Sequence, residues 1–368
     1  MRPYGYPILV DRRDCDKQSA TLGHRSTGVC PAGTIDNRLM GTSESRSSSL
    51  SGWVRTFFQG GDCMFDVPVL LLAWRRADTT KQVIDALRKI EPTRLFVACD
   101  GPKSGDTLLS EQVGAVRDLI DREIDWPCEV QKLYRDENLG CRRGVSGAIS
   151  WFFEQVEEGI ILEDDVVPSR SFFFYCAELL ERYRDDLRIG VISADNFQIS
   201  PPRDGASYYF SMFNHCWGWA SWRRVWRHYD AELETWPDFK AQRWLEAIGG
   251  RQFARYWTPY FDRVADGTID SWAFIWAYSC WAQGFLTCIP AVNLAKNIGF
   301  GEFATHTMVG GSPLRRAREL SFPLKHPVTV LRDTHLDEFT FKNHFQVSLL
   351  DRAVFKARRV LGHFPGST

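Results

Sequence analysis

Two patterns of hydrophobic and polar residues alternate along the chain from residue 67 onward. Short continuous apolar runs, such as "VPVLLLAW" at 67–74, are typical of strands buried in a parallel sheet. Between them the apolar residues recur at helical spacing, as in "TKQVIDALRKI" at 80–90. The pattern predicts strands at 67–74, 94–100, 128–135, 159–162 and 188–196, and helices at 80–90, 109–124, 143–158 and from 168 onward. This alternation predicts an α/β fold with a doubly wound, mostly parallel sheet.

The same patterning divides the chain into three parts. Residues 1–62 have little apolar periodicity and include the serine-rich tract "GTSESRSSSLSG", so we expect a disordered N-terminal arm. Residues 63–310 form the predicted domain, whose aromatic-rich second half we expect to face the substrate. In the extension at 311–368, the segment 346–362 combines apolar and basic residues at helical spacing. It predicts either a helix packed on the domain or a peripheral contact with an anionic membrane.

Composition excludes some classes of function. The 45 Lys and Arg residues balance 46 Asp and Glu residues, for a formal net charge of −1, so no nucleic-acid partner is expected. Ten scattered cysteines without a C-x-x-C pair indicate reduced thiols. Since no apolar run approaches the roughly 20 residues of a membrane span, we expect a cytoplasmic location.

The stretch "GIILEDDVVPS" at 159–169 is the first candidate for chemistry. Glu163, Asp164 and Asp165 follow a predicted buried strand, where three like charges repel one another and lose hydration. One carboxylate would suffice to complement the dipole of the helix that follows. Three of them favour a site for Mg²⁺ or Mn²⁺, whose open coordination positions commonly bind substrate phosphates.

Three further positions carry both a functional and a structural interpretation. Ten of the fourteen tryptophans fall between residues 217 and 281, and for most of them a place in the core is the simpler explanation. The W-G-W turn containing Trp219 is the exception that we consider for ligand contact. Asp270 precedes a predicted helix and is either a cap or a catalytic carboxylate. His306, in the glycine-broken loop "NIGFGEFATHT", is a candidate metal ligand or phosphate contact.

Six segments, taken in order, resemble the nucleotide-diphospho-sugar transferases. They are "VLLLAWRRADTTKQVIDALRK", "FVACDGP", "NLGCRRGV", "GIILEDDVVPSRSFFFYCAELLERYRDD", "CWGWASWRRVW" and "DSWAFIWAYSCWAQG". The resemblance covers about residues 66–307. Within that range the sequence is similar to bacterial family-2 type glycosyltransferases and to the N-acetylglucosaminyltransferase I family. The E-D-D motif with its following amphipathic helix is the most specific part.

The resemblance implies a GT-A fold, a UDP-sugar donor, a bridging Mn²⁺ or Mg²⁺ ion and inversion at the anomeric carbon. Asp270 would be the catalytic base, and Asp165 would bind the metal directly. His306 is a candidate metal ligand on the evidence of its loop, independently of the resemblance. The remaining positions would contact the donor: Arg76 the diphosphate, Asp100 the uracil, Glu163 and Asp164 the ribose and sugar, and Asn138, Arg143 and Trp219 other parts of it. The acceptor, whether glycan, lipid or protein, is not specified.

Two other functions use the same residues. A catalytically silent sugar-nucleotide or glycan-binding module would keep the fold without the chemistry. A metal-dependent phosphohydrolase would use the same carboxylates with water as the nucleophile. The presence of both Asp165 and Asp270 favours the transferase.

Overall fold

The computed structural model of the chain describes residues 64–199, 202–299 and 316–346. The N-terminal arm, His306 and nearly all of the segment 346–362 therefore lie outside the described residues. So do the ends of the three predicted parts, whose boundaries stay predictions.

The core is an eight-stranded sheet, mostly parallel, in the order β3-β2-β1-β4-β8-β6-β9-β7. Strands β1 to β4 pair in parallel, whereas β8 runs antiparallel between β4 and β6, and β7 runs antiparallel at one edge. In chain order, the strands of the described residues are β1 Val69–Ala73, β2 Arg94–Cys99, β3 Glu129–Tyr134, β4 Glu158–Glu163, β5 Val166–Pro168, β6 Ile189–Ser193, β7 Tyr208–Ser211, β8 Trp219–Trp222, β9 Leu286–Pro290 and β10 Ala295–Asn297.

Helices connect the parallel strands and cover the sheet. They are α1 Ala77–Arg88, α2 Thr107–Glu123, α3 Gly140–Gln155, α4 Arg170–Arg182, α5 Arg223–Trp226, α6 Trp236–Ala241, α7 Trp244–Ala265, α8 Trp272–Ala282 and α9 Thr334–Thr340, followed by a π-helical turn at Phe341–Phe345. All five residues of β1 and of β6 are buried, as the continuous apolar runs predict for strands covered on both faces. The predicted α/β class with a doubly wound, mostly parallel sheet is confirmed.

The tryptophan-rich half of the chain fills the core. Trp219 and Trp222 belong to β8, and Trp226 ends the short helix α5, and each of the three is nearly fully buried. Trp219 packs on Trp272 and Trp276 of α8, at ring-centroid distances of 6.0 and 5.4 Å. The concentration of tryptophan is therefore mainly a matter of packing between β8 and the helices of the second half.

A second, two-stranded antiparallel sheet pairs β5 with β10. The register places Asn297 opposite Val166, just after the acidic triplet. The ribbon continues in a backbone hydrogen bond of 2.8 Å from Ile298 N to Asp165 O. Residues separated by more than 130 positions in sequence are thereby held beside the end of β4.

The segment 316–346 packs against the same domain. Leu324, Leu336, Phe341 and Phe345 are each 6% exposed, and the last two join the main hydrophobic cluster. Among the described residues, no helix combines the length and apolar character needed to cross a membrane.

Candidate functional site

A cavity of about 280 Å³ opens at the carboxyl ends of the parallel strands. Its walls come from the residues that follow β1, β2, β3 and β4, which is the edge where open α/β sheets bind ligands. Seven of the predicted site residues line this cavity: Arg76, Asp100, Asn138, Glu163, Asp164, Asp165 and Asp270. The fold thus brings together most of the side chains that the sequence singled out.

Arg76 is the counter-charge of the acidic triplet. Its Nη2 atom lies 2.5 Å from Asp164 Oδ1 and 2.7 Å from Asp165 Oδ2, so one guanidinium bridges two carboxylates. Asp164 also accepts a long hydrogen bond, 3.4 Å, from Trp74 N at the end of β1. Burial alone would lower the pKa of Arg76, but the two carboxylates outweigh it and raise that pKa.

The positive charge beside the triplet, counted over the described residues, is smaller than its negative charge. There Arg76 supplies one positive charge against the three carboxyl groups of Glu163, Asp164 and Asp165. Burial, reinforced by the neighbouring carboxylates, raises the pKa of Glu163 to about 8, and burial raises the pKa of Asp164 to about 6 despite the opposing effect of Arg76. If all three carboxyl groups ionise, two negative charges stay unbalanced by the described residues, and one divalent cation carries the matching charge.

Within the described part of the chain, one oxygen of Asp165 has no partner. Asp165 is 8% exposed, and its Oδ1 atom is buried with no hydrogen bond to any described residue, while Oδ2 binds Arg76. Gly299, at the end of the ribbon, approaches so closely that an added Cβ would lie 2.0 Å from Asp165 Oδ2 and 2.9 Å from Arg76 Nη1. An unpaired buried carboxylate oxygen is unfavourable unless a cation or donor satisfies it.

These residues fit a metal that is held jointly with a ligand. Within residues 64–199, 202–299 and 316–346, no three His, Cys, Asp or Glu side chains converge as a group able to hold a metal by themselves. Mg²⁺ commonly uses only one or two carboxylates and completes its coordination with water and substrate phosphates. Asp165 Oδ1 provides such a single oxygen ligand, and the charge of the triplet matches a divalent ion.

Asp100 follows β2 and Asn138 precedes helix α3, and both line the cavity. Asn138 Nδ2 and Leu139 N each donate a hydrogen bond of 3.0 Å to Asp100 Oδ2. Arg135 Nη1 is 3.9 Å from Asp100 Oδ1. Burial raises the pKa of Asp100, against the opposing effects of the Leu139 backbone N–H and of Arg135. Gly144 faces the same carboxylate, with an ideal Cβ position 3.0 Å from Asp100 Oδ2.

Asp270 also binds the start of α3. Its Oδ2 and Oδ1 atoms accept hydrogen bonds from Cys141 N at 2.9 Å and Arg142 N at 3.0 Å. Gly140, with a φ of 78°, leaves room for this contact, since a Cβ there would lie 2.8 Å from Asp270 Oδ2. The carboxylate therefore accepts from two N–H groups in the first turn of α3 that have no acceptor within the helix. The two donor residues lie 129 and 128 positions before Asp270 in the chain.

The sequence offered a cap as the alternative role of Asp270, and the structure changes which helix is capped. Ser271, not Asp270, occupies the N-cap position of α8, and it makes no side-chain capping bond. Leu139, at the N-cap of α3, makes none either. Asp270 and Asp100 thus supply to α3 the acceptors that its own sequence lacks.

Two predicted residues lie away from the cavity. Arg143 is an exposed residue of α3 and Trp219 is 1% exposed within the core, and neither lines the cavity. Trp217, two positions from Trp219, does line it. His306 lies outside the described residues, so its predicted role as a metal ligand stays a prediction.

Sequence reasoning missed several residues of the cavity. Lys103 and Arg135 add positive charge to its walls, and Asn297 and Gly299 close it beside Asp165. The sequence pattern of the glycine-broken loop at 297–307 predicted a site residue, but that residue was His306 and not Gly299. The signal that could have identified Gly299 was the same loop, since glycine commonly marks a close approach of backbone to a polar group.

No protein-family description matches the chain, and no curated protein matches it. Solved structures resemble it weakly. A mannosyltransferase from Pyrobaculum calidifontis, determined with GDP-mannose and Mn²⁺, is 14% identical, with a TM-score of 0.33 over 66% of this chain and 64% of that chain. This match spans slightly less than two thirds of that relative.

Two further structures are similar to the same degree. The inositol-1-phosphate CTP transferase of T. maritima is 12% identical, with a TM-score of 0.32 over 61% of this chain and 85% of that chain. HddC from Yersinia pseudotuberculosis is 12% identical, with a TM-score of 0.28 over 47% of this chain and 86% of that chain. These values identify no family, and the description of the fold rests on the strand topology given above.

Proposed function

We propose that the protein is a metal-dependent inverting glycosyltransferase that moves a sugar from a UDP-sugar to an acceptor hydroxyl. The observation that carries the proposal is the buried Asp165 Oδ1, which has no hydrogen-bond partner among the described residues and belongs to a carboxylate cluster that pairs with one cation, Arg76, in that part of the chain. It lies at the sheet edge where α/β proteins bind ligands, in a cavity that also holds cationic side chains for phosphates.

The residues of the triplet would hold the donor by its diphosphate. Asp165 would hold Mn²⁺ or Mg²⁺ through its free oxygen, while Arg76 stays close enough to turn a guanidinium towards the phosphates. When bound, the ion stabilises the negative charge that develops on the leaving diphosphate. Glu163 and Asp164 would face the ribose and the sugar.

Asp100 and Asn138 would recognise the base of the nucleotide. Asn138 donates to Asp100, and Leu139 N fixes the same carboxylate, so the pair is held in one orientation before a ligand arrives. Preorganised acceptors and donors of this kind distinguish bases by their polar edges. A uracil offers both a ring N–H donor and carbonyl acceptors.

Asp270 would act as the general base. It lines the same cavity as the triplet but belongs to another element, the loop before α8, and an inverting displacement requires a base that faces the side opposite the leaving group. Each of its carboxylate oxygens already accepts one backbone N–H, and each keeps a second lone pair for the proton of an acceptor hydroxyl.

The same two hydrogen bonds favour a second candidate function. A carboxylate that is fully explained as the cap of α3 is not required to be a base, and the site would then only bind a sugar nucleotide. The two functions differ in turnover. A transferase releases UDP from its donor in the presence of an acceptor, whereas a binding module retains the donor intact.

The test combines donor binding with turnover in the Asp165→Asn variant. A panel of nucleotide sugars is screened by thermal shift with and without Mn²⁺, because a bound ligand raises the apparent stability according to its affinity. We expect a UDP-sugar to stabilise the wild type in a Mn²⁺-dependent manner. Asp165→Asn should lose that dependence and all turnover, because a neutral amide does not balance the cation.

Asp118→Asn, an exposed carboxylate of α2, is the matched control and should behave as the wild type does. Full activity of Asp165→Asn at ordinary Mn²⁺ concentrations would refute the assignment. Release of UDP that never depends on an acceptor would indicate a phosphohydrolase, and donor binding without any release would indicate the binding module. Inversion is checked by NMR of the anomeric configuration in the purified product.

A further inference from the structure

A second cavity, of about 520 Å³, lies on the surface of helices α6 and α7. We define the α7 cleft by the cationic residues that line it, Lys240, Arg243, Arg251 and Arg255, together with Glu246 and an apolar floor that includes Trp236 and Leu245. No lining residue is shared with the cavity at the sheet edge. The α7 cleft is therefore a separate feature with a different chemistry.

The cations of the α7 cleft outnumber their carboxylates. Glu246 serves two arginines at once, because Arg243 binds its Oε2 atom and Arg251 Nε lies 3.0 Å from its Oε1 atom. Lys240 is neutralised by Asp262, at 2.8 Å. Arg255 is exposed and forms no ion pair with any residue in the part of the chain that the structure describes. The cleft therefore carries uncompensated positive charge.

The backbone holds these cations around one hollow. Gly250, with φ 82° and ψ 176°, interrupts α7, so Arg243 precedes the interruption while Arg251 and Arg255 follow it. Arg251 and Arg255 are four residues apart on a helix, which places two like charges side by side. Arg243 has a φ of 58°, the left-handed conformation that a non-glycine residue adopts at an energetic cost.

We propose that the α7 cleft binds a phosphate-bearing ligand, either a soluble diphosphate compound or the phosphate head group of an anionic lipid. Guanidinium groups bind phosphate oxygens with two parallel hydrogen bonds, and a phosphate dianion brings more negative charge to a group of arginines than a single carboxylate does. A bound dianion relieves the repulsion between Arg251 and Arg255 and gives Arg255 a counter-charge. The volume admits a diphosphate with an attached group, whose apolar part would rest on Trp236 and Leu245.

The test measures the binding of inorganic pyrophosphate to the full chain by calorimetry in metal-free buffer. Because the cavity at the sheet edge also contains cations, the measurement is made in the Arg76→Ala background as well as in the wild type. We expect binding in both proteins, and we expect it to weaken as salt is added. The double variant Arg251→Ala/Arg255→Ala should bind at least about tenfold more weakly.

Arg251→Lys/Arg255→Lys keeps the charge without the planar fork and should bind with intermediate affinity. Arg122→Ala, on α2 with its side chain 66% exposed, is the control for loss of a surface arginine and should leave binding unchanged. Thermal unfolding confirms that each variant is folded, which the exposure of the substituted side chains favours.

A second arm identifies the source of the phosphate. The same proteins are floated with vesicles of phosphatidylglycerol and phosphatidylcholine in equal parts. Flotation that the double alanine variant loses assigns the site to a lipid, and pyrophosphate binding without flotation assigns it to a soluble ligand. Pyrophosphate affinity and flotation that are both the same in the wild type and in Arg251→Ala/Arg255→Ala would overturn the proposal, as would the absence of both.

Discussion

Asp165 is shaped by a glycine that lies far from it in sequence. Gly299 approaches Asp165 Oδ2 and Arg76 Nη1 so closely that no side chain fits between them. The carboxylate is thereby held with one oxygen on Arg76 and the other without a partner among the described residues. A methyl group at position 299 would have to displace either the carboxylate or the backbone of the ribbon.

Gly299→Ala should therefore disturb the site more than the fold. We expect the Mn²⁺-dependent affinity for a UDP-sugar to fall by roughly tenfold or more, because Asp165 loses its position. The check is a titration with the donor beside an unfolding curve. Gly114→Ala in α2, where an added Cβ meets nothing within 4 Å, is the control and should keep the affinity. Equal affinities in the two variants would contradict this role of Gly299.

His215 is a buried neutral side chain with a consequence for pH. It is 2% exposed and packs against Phe197 and Phe213. Burial lowers the pKa of His215 to about 3, whereas an unfolded histidine titrates near pH 6.5. Between these values the unfolded chain binds the extra proton, so this residue makes the protein less stable as the pH falls.

The prediction is a steeper loss of stability in the wild type than in His215→Gln. From about pH 6.5 down towards pH 3, the wild type should lose up to about 1.4 kcal/mol per pH unit more than the variant. Urea unfolding at several pH values measures both slopes. Parallel curves for the two proteins would show that His215 does not titrate on unfolding.

Helix α3 depends on acceptors from other elements. Leu139 makes no side-chain capping bond, and the first N–H groups of the helix are satisfied by Asp100 and Asp270. Asp270 precedes α8, so its two hydrogen bonds fix α3 relative to the second half of the domain. One carboxylate thus joins the two halves of the cavity wall, whether or not it also accepts a proton.

Asp270→Asn should affect stability and turnover by different amounts. The amide accepts with one oxygen only, so we expect a loss of about 0.5–2 kcal/mol in the free energy of unfolding. Turnover should fall by roughly 10²–10⁴-fold if Asp270 is the base. Gly140→Ala disrupts the same contact from the other side, and it should cost stability while leaving a carboxylate in place.

The two variants form a double-mutant cycle with clear outcomes. Both substitutions disrupt the same contact between Asp270 and the start of α3. The double variant should therefore lose less free energy of unfolding than the sum of the losses in the two single variants. A turnover loss in Asp270→Asn that is no larger than in Gly140→Ala would assign Asp270 to capping alone. Donor affinity, measured in parallel, should change little in either variant, since the base faces the acceptor.

The segment 316–346 is tied to the domain by one buried carboxylate. Asp337, 2% exposed, accepts from Ser211 Oγ at 2.5 Å, from Met212 N at 3.2 Å and from Arg332 Nε at 2.6 Å. The hydrogen bonds connect the segment to the end of β7 at the sheet edge. The core of the molecule is therefore completed by residues beyond the predicted boundary at 310.

Asp337→Asn should destabilise the whole domain and not only the segment. Removing the charge leaves Arg332 without its carboxylate, and breaking a buried ion pair commonly costs about 3–5 kcal/mol. A single cooperative transition at lower urea concentration is the expected result. Glu338→Gln, the next residue, forms an exposed pair with Lys342 and should shift the transition by less than about 1 kcal/mol. An unchanged urea midpoint for Asp337→Asn would show that Asp337 does not stabilise the domain through its contacts with segment 316–346.

Local patterning was sufficient to predict the first half of the fold. Strands β1, β2 and β4 contain continuous apolar runs because both faces of the sheet are covered there, whereas the edge strand β3 is more polar and only partly buried. The connecting helices show their period because only one face is buried. The carboxyl ends of such strands share one edge of the sheet. The convergence of Asp100 with Asp164 and Asp165 was therefore predictable from sequence positions alone.

Contacts between distant segments decided the rest. The antiparallel strand β8 carries tryptophans whose pattern is equally compatible with a buried helix, so its insertion between β4 and β6 left no distinctive periodicity. The cap that Asp270 provides to α3 and the approach of Gly299 to Asp165 join residues more than 120 positions apart. The periodicity of a sequence indicates which face of a helix or strand is buried, but not which element covers that face. These contacts depend on which element covers it, so only the tertiary structure decided them.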